Sequence, residues 1–352
     1  MADHSFGNIA LAILPMASVS TITGLTTSVN TAQGLVLGVG TTGEGNSGIE
    51  LPTHTRVGLE LARIGNGRQA DTFIREEASG LKITFPLGGA RNTVSTPTVL
   101  DADFDLSQSG IFPGFDAILK AVGLTGAAWA SAPIGWEYKA SGSATAAAIA
   151  LFAGGFKVVY QNALVTKLTI KAPPGEVATV EAEFSTPSVN SWGAQTLSTI
   201  TQGNQATACP VVQAAAFTYG NLRPYESIEI SLSPTTENAP DSNTANGLRS
   251  RQTAFDVEVS GLIYAADSTG AGAPDVERTT LISESPPTSD ALFQIGTAAV
   301  AAGVAKAYAI DINNATVRKG KMRKAGDYLQ WESTLEARCI SSAGTEFTLR
   351  FL

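Results

Sequence analysis

The chain has 352 residues, enough for two ordinary domains or one large one. Apolar residues make up 43% of it and charged residues only 15%, and the formal net charge of −8 excludes a general electrostatic pull toward nucleic acid or anionic membrane. Its two cysteines, Cys209 and Cys339, lie far apart in apolar or strand-like settings, which excludes a disulfide framework and reads as two buried thiols.

The first residues, MADHSFGNIALAILPMASVS, hold a short apolar run. Asp3 precedes it with no Lys or Arg, and Pro15 interrupts it, so it does not have the pattern of a signal peptide. No stretch approaches the ~18 apolar residues of a membrane-spanning helix. Gly38-Val39-Gly40-Thr41-Thr42-Gly43 matches GxGxxG, but EGNSGIELP follows it where a dinucleotide site needs a helix. Residues 1–50, rich in Gly, Thr and Ser, are expected to form an arm that orders against a neighbouring subunit.

RVGLELARI (56–64) alternates Val57, Leu59 and Leu61 on one face, and GLKITFPL (80–87) does the same with Leu81, Ile83 and Phe85. The charged stretch between them, with Gly67, Arg68, Asp71, Arg75 and Glu76, predicts a long loop over 64–79. PGFDAILKAVGL predicts a helix from Pro113 to a stop at Gly123, with Phe115, Ile118, Leu119 and Val122 on one stripe. FKVVYQ (156–161), LVTKLTIKA (164–172) and VATVEAEFS (177–185) predict strands, the last two joined through Pro173-Pro174-Gly175-Glu176.

After residue 212 the order repeats. ESIEISLS (226–233) predicts a strand, the polar stretch 234–252 a second long loop, and AFDVEVSGLIY (254–264) another strand. PPTSDALFQIG predicts a short helix in which Asp290-Ala291-Leu292-Phe293 echoes Asp116-Ala117-Ile118-Leu119. NATVRKGKMRKAGDYLQWESTL (314–335) then rewrites NALVTKLTIKAPPGEVATVEAEF (162–184), with one deletion bringing Gly326 over Gly175, Trp331 over Val180 and Glu332 over Glu181. Recurrence in one order predicts a mainly β chain with two copies of one unit, 51–190 and 212–352, each with one helix, joined by 191–211.

Candidate chemistry is sparse. His4 and His54 are the only imidazoles, and neither has a Cys, Asp or Glu at metal-ligand spacing. Glu76-Glu77 and the alternating Asp101, Asp103 and Asp105 read as solvated carboxylates, and TTENAPDSN as a polar loop rather than a calcium loop. Arg318, Lys319, Lys321, Arg323 and Lys324 put five basic residues in seven; with no aromatic interleaved, the run reads as a hairpin end that meets acidic surface on a neighbouring copy. Nothing in the pattern supports catalysis, a metal or a cofactor.

FPGFDAILKAVGL, FKVVYQNALVTKLTIKAPPGEVATVEAEFS, AAAFTYGNLRPYESIEISLS with SRQTAFDVEVSGLIYA, and YAIDINNATVRKGKMRKAGDYLQWESTLEARCISSAGTEFTLRF stand in an order that resembles the tail tube (major tail) proteins of long-tailed, non-contractile bacteriophages. The resemblance spans roughly residues 50–352 and lies in order and pattern; where many relatives carry a Gly-Ala-Arg-type sequence after FKVVYQ, this chain reads Asn-Ala-Leu. It implies tandem β-sandwich or barrel domains that form rings, sheets that join across subunits to line a channel, and DNA as passing cargo. It also implies a virion component assembled in the host cytoplasm, with no membrane role. Its partners would be itself, a tape measure protein, and tail terminator and distal tail proteins. A chain with two hairpin sets closes a six-fold lumen with three subunits; six per ring is the alternative. In that setting the long loops sit between stacked rings, and Glu60, Glu181, Glu183, Glu229, Asp256, Glu258 and Glu332, alternating with apolar residues, are candidate lumen-lining acids. A carbohydrate-binding or adhesive β-sandwich of a surface appendage is the alternative, against which the four Trp of the chain weigh.

Overall fold

The computed structural model describes residues 9–15, 35–38, 48–61, 70–87, 116–129, 135–140, 143–153, 156–186, 188–194, 212, 216–219, 221–222, 225–240, 248–265, 278–279, 281–283, 288–295, 308–337 and 346–351. These residues are mainly β, and their strand pairings are antiparallel. The strands are β1 (Ile9–Pro15), β2 (Leu35–Gly38), β3 (Gly48–Glu50), β4 (Thr53–Leu61), β5 (Ala70–Pro86), β6 (Leu124–Trp129), β7 (Gly135–Ala140), β8 (Ala147–Ala153), β9 (Phe156–Ala172), β10 (Thr179–Thr186) and β11 (Ser188–Ala194). Then follow β12 (Ala216–Tyr219), β13 (Asn221–Leu222), β14 (Tyr225–Pro240), β15 (Leu248–Ala265), β16 (Ser289–Ile295), β17 (Tyr308–Ala325), β18 (Tyr328–Ala337) and β19 (Phe347–Phe351). The helix α1 (Asp116–Ala121) stands between β5 and β6 and packs against β1, β6, β8 and β9, and residues 278–279 and 281–282 are also helical.

The longest strands serve two neighbourhoods. Residues 156–163 of β9 pair with β8 and β11, while residues 164–171 pair with β10. The change falls at Asn162, whose φ of 56° is left-handed. β17 behaves alike: residues 308–315 pair with β16 and residues 308–312 with β19, while residues 315–325 pair with β18. Its change falls at Asn314, φ 54°. Asn tolerates this conformation better than any residue but Gly, which is why the same residue stands at both bends.

The registers recur in detail. β8 pairs with β9 as Ala147↔Ala163, Ile149↔Tyr160 and Ala153↔Phe156, with an irregularity after Ala147. β16 pairs with β17 as Ser289↔Ala315, Ala291↔Ile312 and Ile295↔Tyr308, with one after Ser289. Val180 stands opposite Ile170 and Trp331 opposite Met322, at matching steps of the β9–β10 and β17–β18 hairpins. A sheet continues across the middle of the chain, because β9 residues 168–172 also pair with β14 residues 228–232. That gives the strand order β5, β10, β9, β14, β15, β18, β17.

One hydrophobic cluster holds both ends of this order, from Leu81, Ile83 and Phe85 to Ile310, Leu335 and Leu349. Two buried tyrosine hydroxyls are satisfied: that of Tyr138 donates to Asp116 Oδ1 at 2.6 Å, and that of Tyr308 donates to the Leu87 carbonyl at 3.1 Å.

Four expectations are corrected. PPTSDALFQIG does not make a helix; residues 289–295 are strand β16, with Ala291, Phe293 and Ile295 buried and Asp290 and Leu292 exposed. That alternation has a period of two, and pairing on both sides, with β12 and β17, decides it. Asp290 is therefore not the counterpart of Asp116, and β16 corresponds by register to β8. The two predicted long loops are largely strand: residues 70–79 belong to β5 and residues 234–240 and 248–252 to β14 and β15, because each polar arm satisfies its backbone on the facing arm. Gly67 and Arg68 lie outside the described residues, whereas Asp71, Arg75 and Glu76 are strand residues. The N-terminal segment also contributes to the chain's own core: β1 pairs with β8, and Leu11 and Ile13 are fully buried. Cys209, Cys339, His4, Asp101, Asp103 and Asp105 lie outside the described residues, as does the stretch after Gly38.

Candidate functional site: a charged sheet face

Directly opposed residues of paired strands share a face of the sheet. One row across the long sheet reads Thr84, Glu181, Thr169, Ser231, Glu258, Glu336, Thr316. A neighbouring row places Lys82 opposite Glu183 and Glu183 opposite Lys167, and another places Thr179 opposite Lys171 and Lys171 opposite Glu229. Asp256 stands opposite Ser233, two residues along from Ser231, and Glu332 stands four residues before Glu336 in β18. Six of the seven predicted acids, Glu181, Glu183, Glu229, Asp256, Glu258 and Glu332, therefore share one face. The opposite face carries Ile83, Val180, Ala182, Leu168, Ile170, Ile230, Leu232, Val257, Val259 and Leu335, all buried. The two faces result from strict alternation along each strand. Glu60 lies in β4, and its side chain is outside the described set.

The charged face also carries bases, and they reach carboxylates of the same chain. Lys82 Nζ lies 2.9 Å from Glu181 Oε1 and 3.7 Å from Glu50, and Lys171 Nζ lies 3.1 Å from Glu181 Oε2. Arg318 meets Glu336, Lys319 meets Glu258 and Lys321 meets Glu332, each at 3.2 Å, and Arg323 bonds Glu226. Arg318, Lys319, Lys321 and Arg323 thus pair within their own chain, where the sequence pattern had suggested acids of another copy. Hairpin folding explains this: β17 and β18 run antiparallel, so Lys321 is held opposite Glu332, and β15 brings Glu258 within reach of Lys319. Lys324, the last of the run, lies near the hairpin tip opposite Leu329.

Glu181 is the most enclosed acid of this network. Burial raises its carboxyl, but the hydrogen bonds from Lys82 and Lys171, with their charges, outweigh that and leave it below the usual carboxylate range. Lys82 is held above its ordinary value, first by its hydrogen bond to Glu181 and against some desolvation.

A second charged group stands on β7 and β19. Arg350 Nε donates to Glu137 Oε2 at 2.7 Å, and Lys139 bonds the other carboxylate oxygen. Burial raises Glu137, yet the hydrogen bonds of Lys139 and Arg350 bring it below its ordinary value.

His54 sits on β4, with Nδ1 2.6 Å from Glu76 Oε1 and Nε2 3.2 Å from the Tyr160 hydroxyl. Burial, with the Glu76 charge, pushes the Tyr160 hydroxyl up to about 12, so it stays protonated at neutral pH. This contact ties β4 and β5 to β9. Sequence spacing does not reveal it, since Glu76 and Tyr160 lie 22 and 106 residues away. Among the described residues no three His, Cys, Asp or Glu side chains gather to hold a metal ion, and no helix is long and apolar enough to cross a membrane.

No protein-family model and no curated protein sequence matches this chain.

Proposed function

We propose that the chain is a structural subunit of a bacteriophage tail tube, in which stacked rings of tandem β-domains form a conduit for DNA. The observation that carries this reading is the recurrence of register: β8–β9–β10 and β16–β17–β18 pair through corresponding residues, with left-handed Asn162 and Asn314 at the same step. This supports a duplicated unit, as does the shared turn geometry of Gly175 (φ 82°) and Gly326 (φ 60°) in the two hairpins. A duplicated sheet unit halves the number of chains a ring needs, so three copies supply six hairpin sets.

The charged face suits a surface past which DNA slides. A free Lys or Arg that neutralises a phosphate releases counterions and gains salt-dependent affinity. Here Lys82, Lys171, Arg318, Lys319, Lys321 and Arg323 each already hold a carboxylate within 4 Å. A phosphate must displace that acid, and the remaining acids repel it. The face is thus paired, with carboxylates interspersed, rather than lined by acids alone.

Negative-stain electron microscopy of the purified full chain tests the function. Rings or hollow tubes are expected, and a monodisperse monomer at every concentration would overturn the reading.

A further inference from the structure

One corner of the fold is built from different chemistry in its two occurrences. The β4–β5 and β14–β15 pairs carry a register irregularity at the same step, between Val57 and Gly58 in one and between Thr235 and Thr236 in the other. Counting back from it, Arg56 stands opposite Glu76 as Pro234 stands opposite Phe255, and His54 stands opposite Ala78 as Leu232 stands opposite Val257. In the β8–β9 and β16–β17 pairs, Tyr160 stands opposite Ile149 as Ile312 stands opposite Ala291. His54, Glu76 and Tyr160 therefore hold the places of Leu232, Phe255 and Ile312. The second of these sets is apolar: Leu232 and Ile312 are buried, and Phe255 packs against the core. The first is a chain of hydrogen bonds, from Glu76 through the imidazole of His54 to the Tyr160 hydroxyl. Apolar side chains suffice to close this corner, so packing does not account for the polar set.

Carboxylate, imidazole and hydroxyl stand in the order of a nucleophilic triad. The hydroxyl cannot serve as one, because Tyr160 is fully buried and is pushed up to about 12, so it meets no substrate and keeps its proton. What remains is the charge of the imidazole, which water can reach: the side chains of His54 and Glu76 are 26% and 33% exposed. In neutral His54, Nδ1–H donates to Glu76 and Nε2 accepts from the Tyr160 O–H, so all three groups are satisfied. A second proton, on Nε2, reverses the bond to Tyr160. The tyrosine oxygen then accepts, and its own buried O–H has no acceptor among the described residues, which costs free energy. The same proton makes the bond to Glu76 charge-assisted and stronger. The other charged groups nearby are Arg56 of β4, opposite Glu76, and Glu77 of β5, opposite Thr55. The residues of β10 opposite Ala78 and Ser79 are Thr186 and Ser185, and β11, which also lies against β5, has no titratable residue.

We propose that His54 is a pH-dependent partner switch: neutral, it ties the β4–β5 hairpin to β9 through Tyr160, and protonated, it moves its bonding to Glu76 within the hairpin and lets β9 go. Histidine is the side chain that changes charge between roughly pH 8 and pH 5. The tie is complete at the upper end of that range and is lost toward the lower end. Only the first occurrence of the corner responds, since Leu232 in the second carries no proton to exchange. The switch depends on this chain's own residues and stands or falls apart from the tube reading.

Hydrogen exchange of the full chain tests it, read peptide by peptide at pH 8 and pH 5 and corrected for the intrinsic exchange rate at each. Peptides from residues 53–61 and 70–79 should lose protection by about tenfold on acidification, while those from 231–240 and 248–258 keep theirs. Equal loss in both hairpins, or loss in neither, would overturn the switch. His54→Leu should keep the first hairpin protected at both pH values, and Tyr160→Phe should hold it at the low-pH level throughout. Glu76→Gln should carry the tie to lower pH. A pH-dependent loss that survives His54→Leu or Tyr160→Phe would count against the proposal. Nitrogen-15 NMR of the parent chain keeps the test independent of how the variants fold, because the chain has only two histidines. At pH 8 Nδ1 of His54 should carry the proton and Nε2 none, and the opposite tautomer would overturn the mechanism.

Discussion

At the scale of single residues, glycines with one backbone conformation differ in what surrounds them. Gly261 has φ +88°, and a Cβ there would lie 1.7 Å from the Ser227 carbonyl oxygen, so the backbone of β14 must move. Gly175 has φ +82° with nothing within 4 Å. Gly175→Ala should cost only the left-handed penalty, roughly 1–2 kcal/mol, and Gly261→Ala distinctly more, a ranking that denaturant melts of the two variants will check. Glu181 gives a pH prediction. Its folded pKa is depressed, so its contribution to stability is complete above the unfolded value of 4.5 and fades as pH falls through the lower folded value. Lys82 is raised above 10.5, so its contribution is complete below that value and fades as pH rises through the higher folded one. Glu181→Gln should therefore lower stability at pH 7 and flatten the loss on acidification below about pH 4.5, measured as melting temperature against pH.

At the scale of elements, β16 separates local signal from pairing. Pro286, Pro287, Thr288 and Ser289 in front of Asp290 look like a helix start, and Ala291, Leu292 and Phe293 tolerate a helix. The alternation of burial shows which face counts: Phe293 is 1% exposed, between Phe217 and Tyr225, and Leu292 is 37% exposed. Phe293→Ala should cost about 3–5 kcal/mol. Leu292→Thr, on the open face, should stay within about 0.5 kcal/mol. A helix, with residues 292 and 293 a third of a turn apart, would not separate them in this way. The short helix α1 meets its expectation over the described residues, Pro113 and Phe115 lying outside them, because its signals are local: Lys120 pairs back to Asp116 at 2.7 Å, and Gly123 closes it at φ +101°.

At the scale of the whole molecule, the proposed tube function makes charge balance on the long sheet the property that DNA meets. Glu181→Lys combined with Glu258→Lys removes the acids that hold Lys82, Lys171 and Lys319. The face then carries bases that seek phosphate. The variant should retain double-stranded DNA with log affinity falling about 0.9 per contacted phosphate against log salt, while the parent chain retains none at the same salt; filter binding over a salt series reads both. The polar arms of β4–β5 and β14–β15 extend beyond the core strands, and the ring reading assigns their ends to the contact between stacked rings. Replacing residues 236–251 by a two-residue turn should leave rings in electron micrographs and abolish tubes.

By itself the sequence determined the period-two strands, the Gly-stopped helix, the hairpin turn at Gly175, the repeated hairpin and the alternating acids, because each depends on neighbours a few residues apart. The repeat was legible in Asn-Ala-x-Val-x-Lys, whose Asn bends both long strands. Tertiary structure alone decided the rest. The polar arms became strands since each found a facing backbone, β1 entered the core since β8 offered an edge, and Ser289–Ile295 extended since β12 and β17 flank it. The pairing of the basic run with Glu336, Glu258, Glu332 and Glu226, and the junction of β9 with β14, join residues up to about a hundred positions apart. Local pattern carries no record of such contacts, because backbone hydrogen bonds between strands are indifferent to sequence distance, and only the closed fold selects which edges meet.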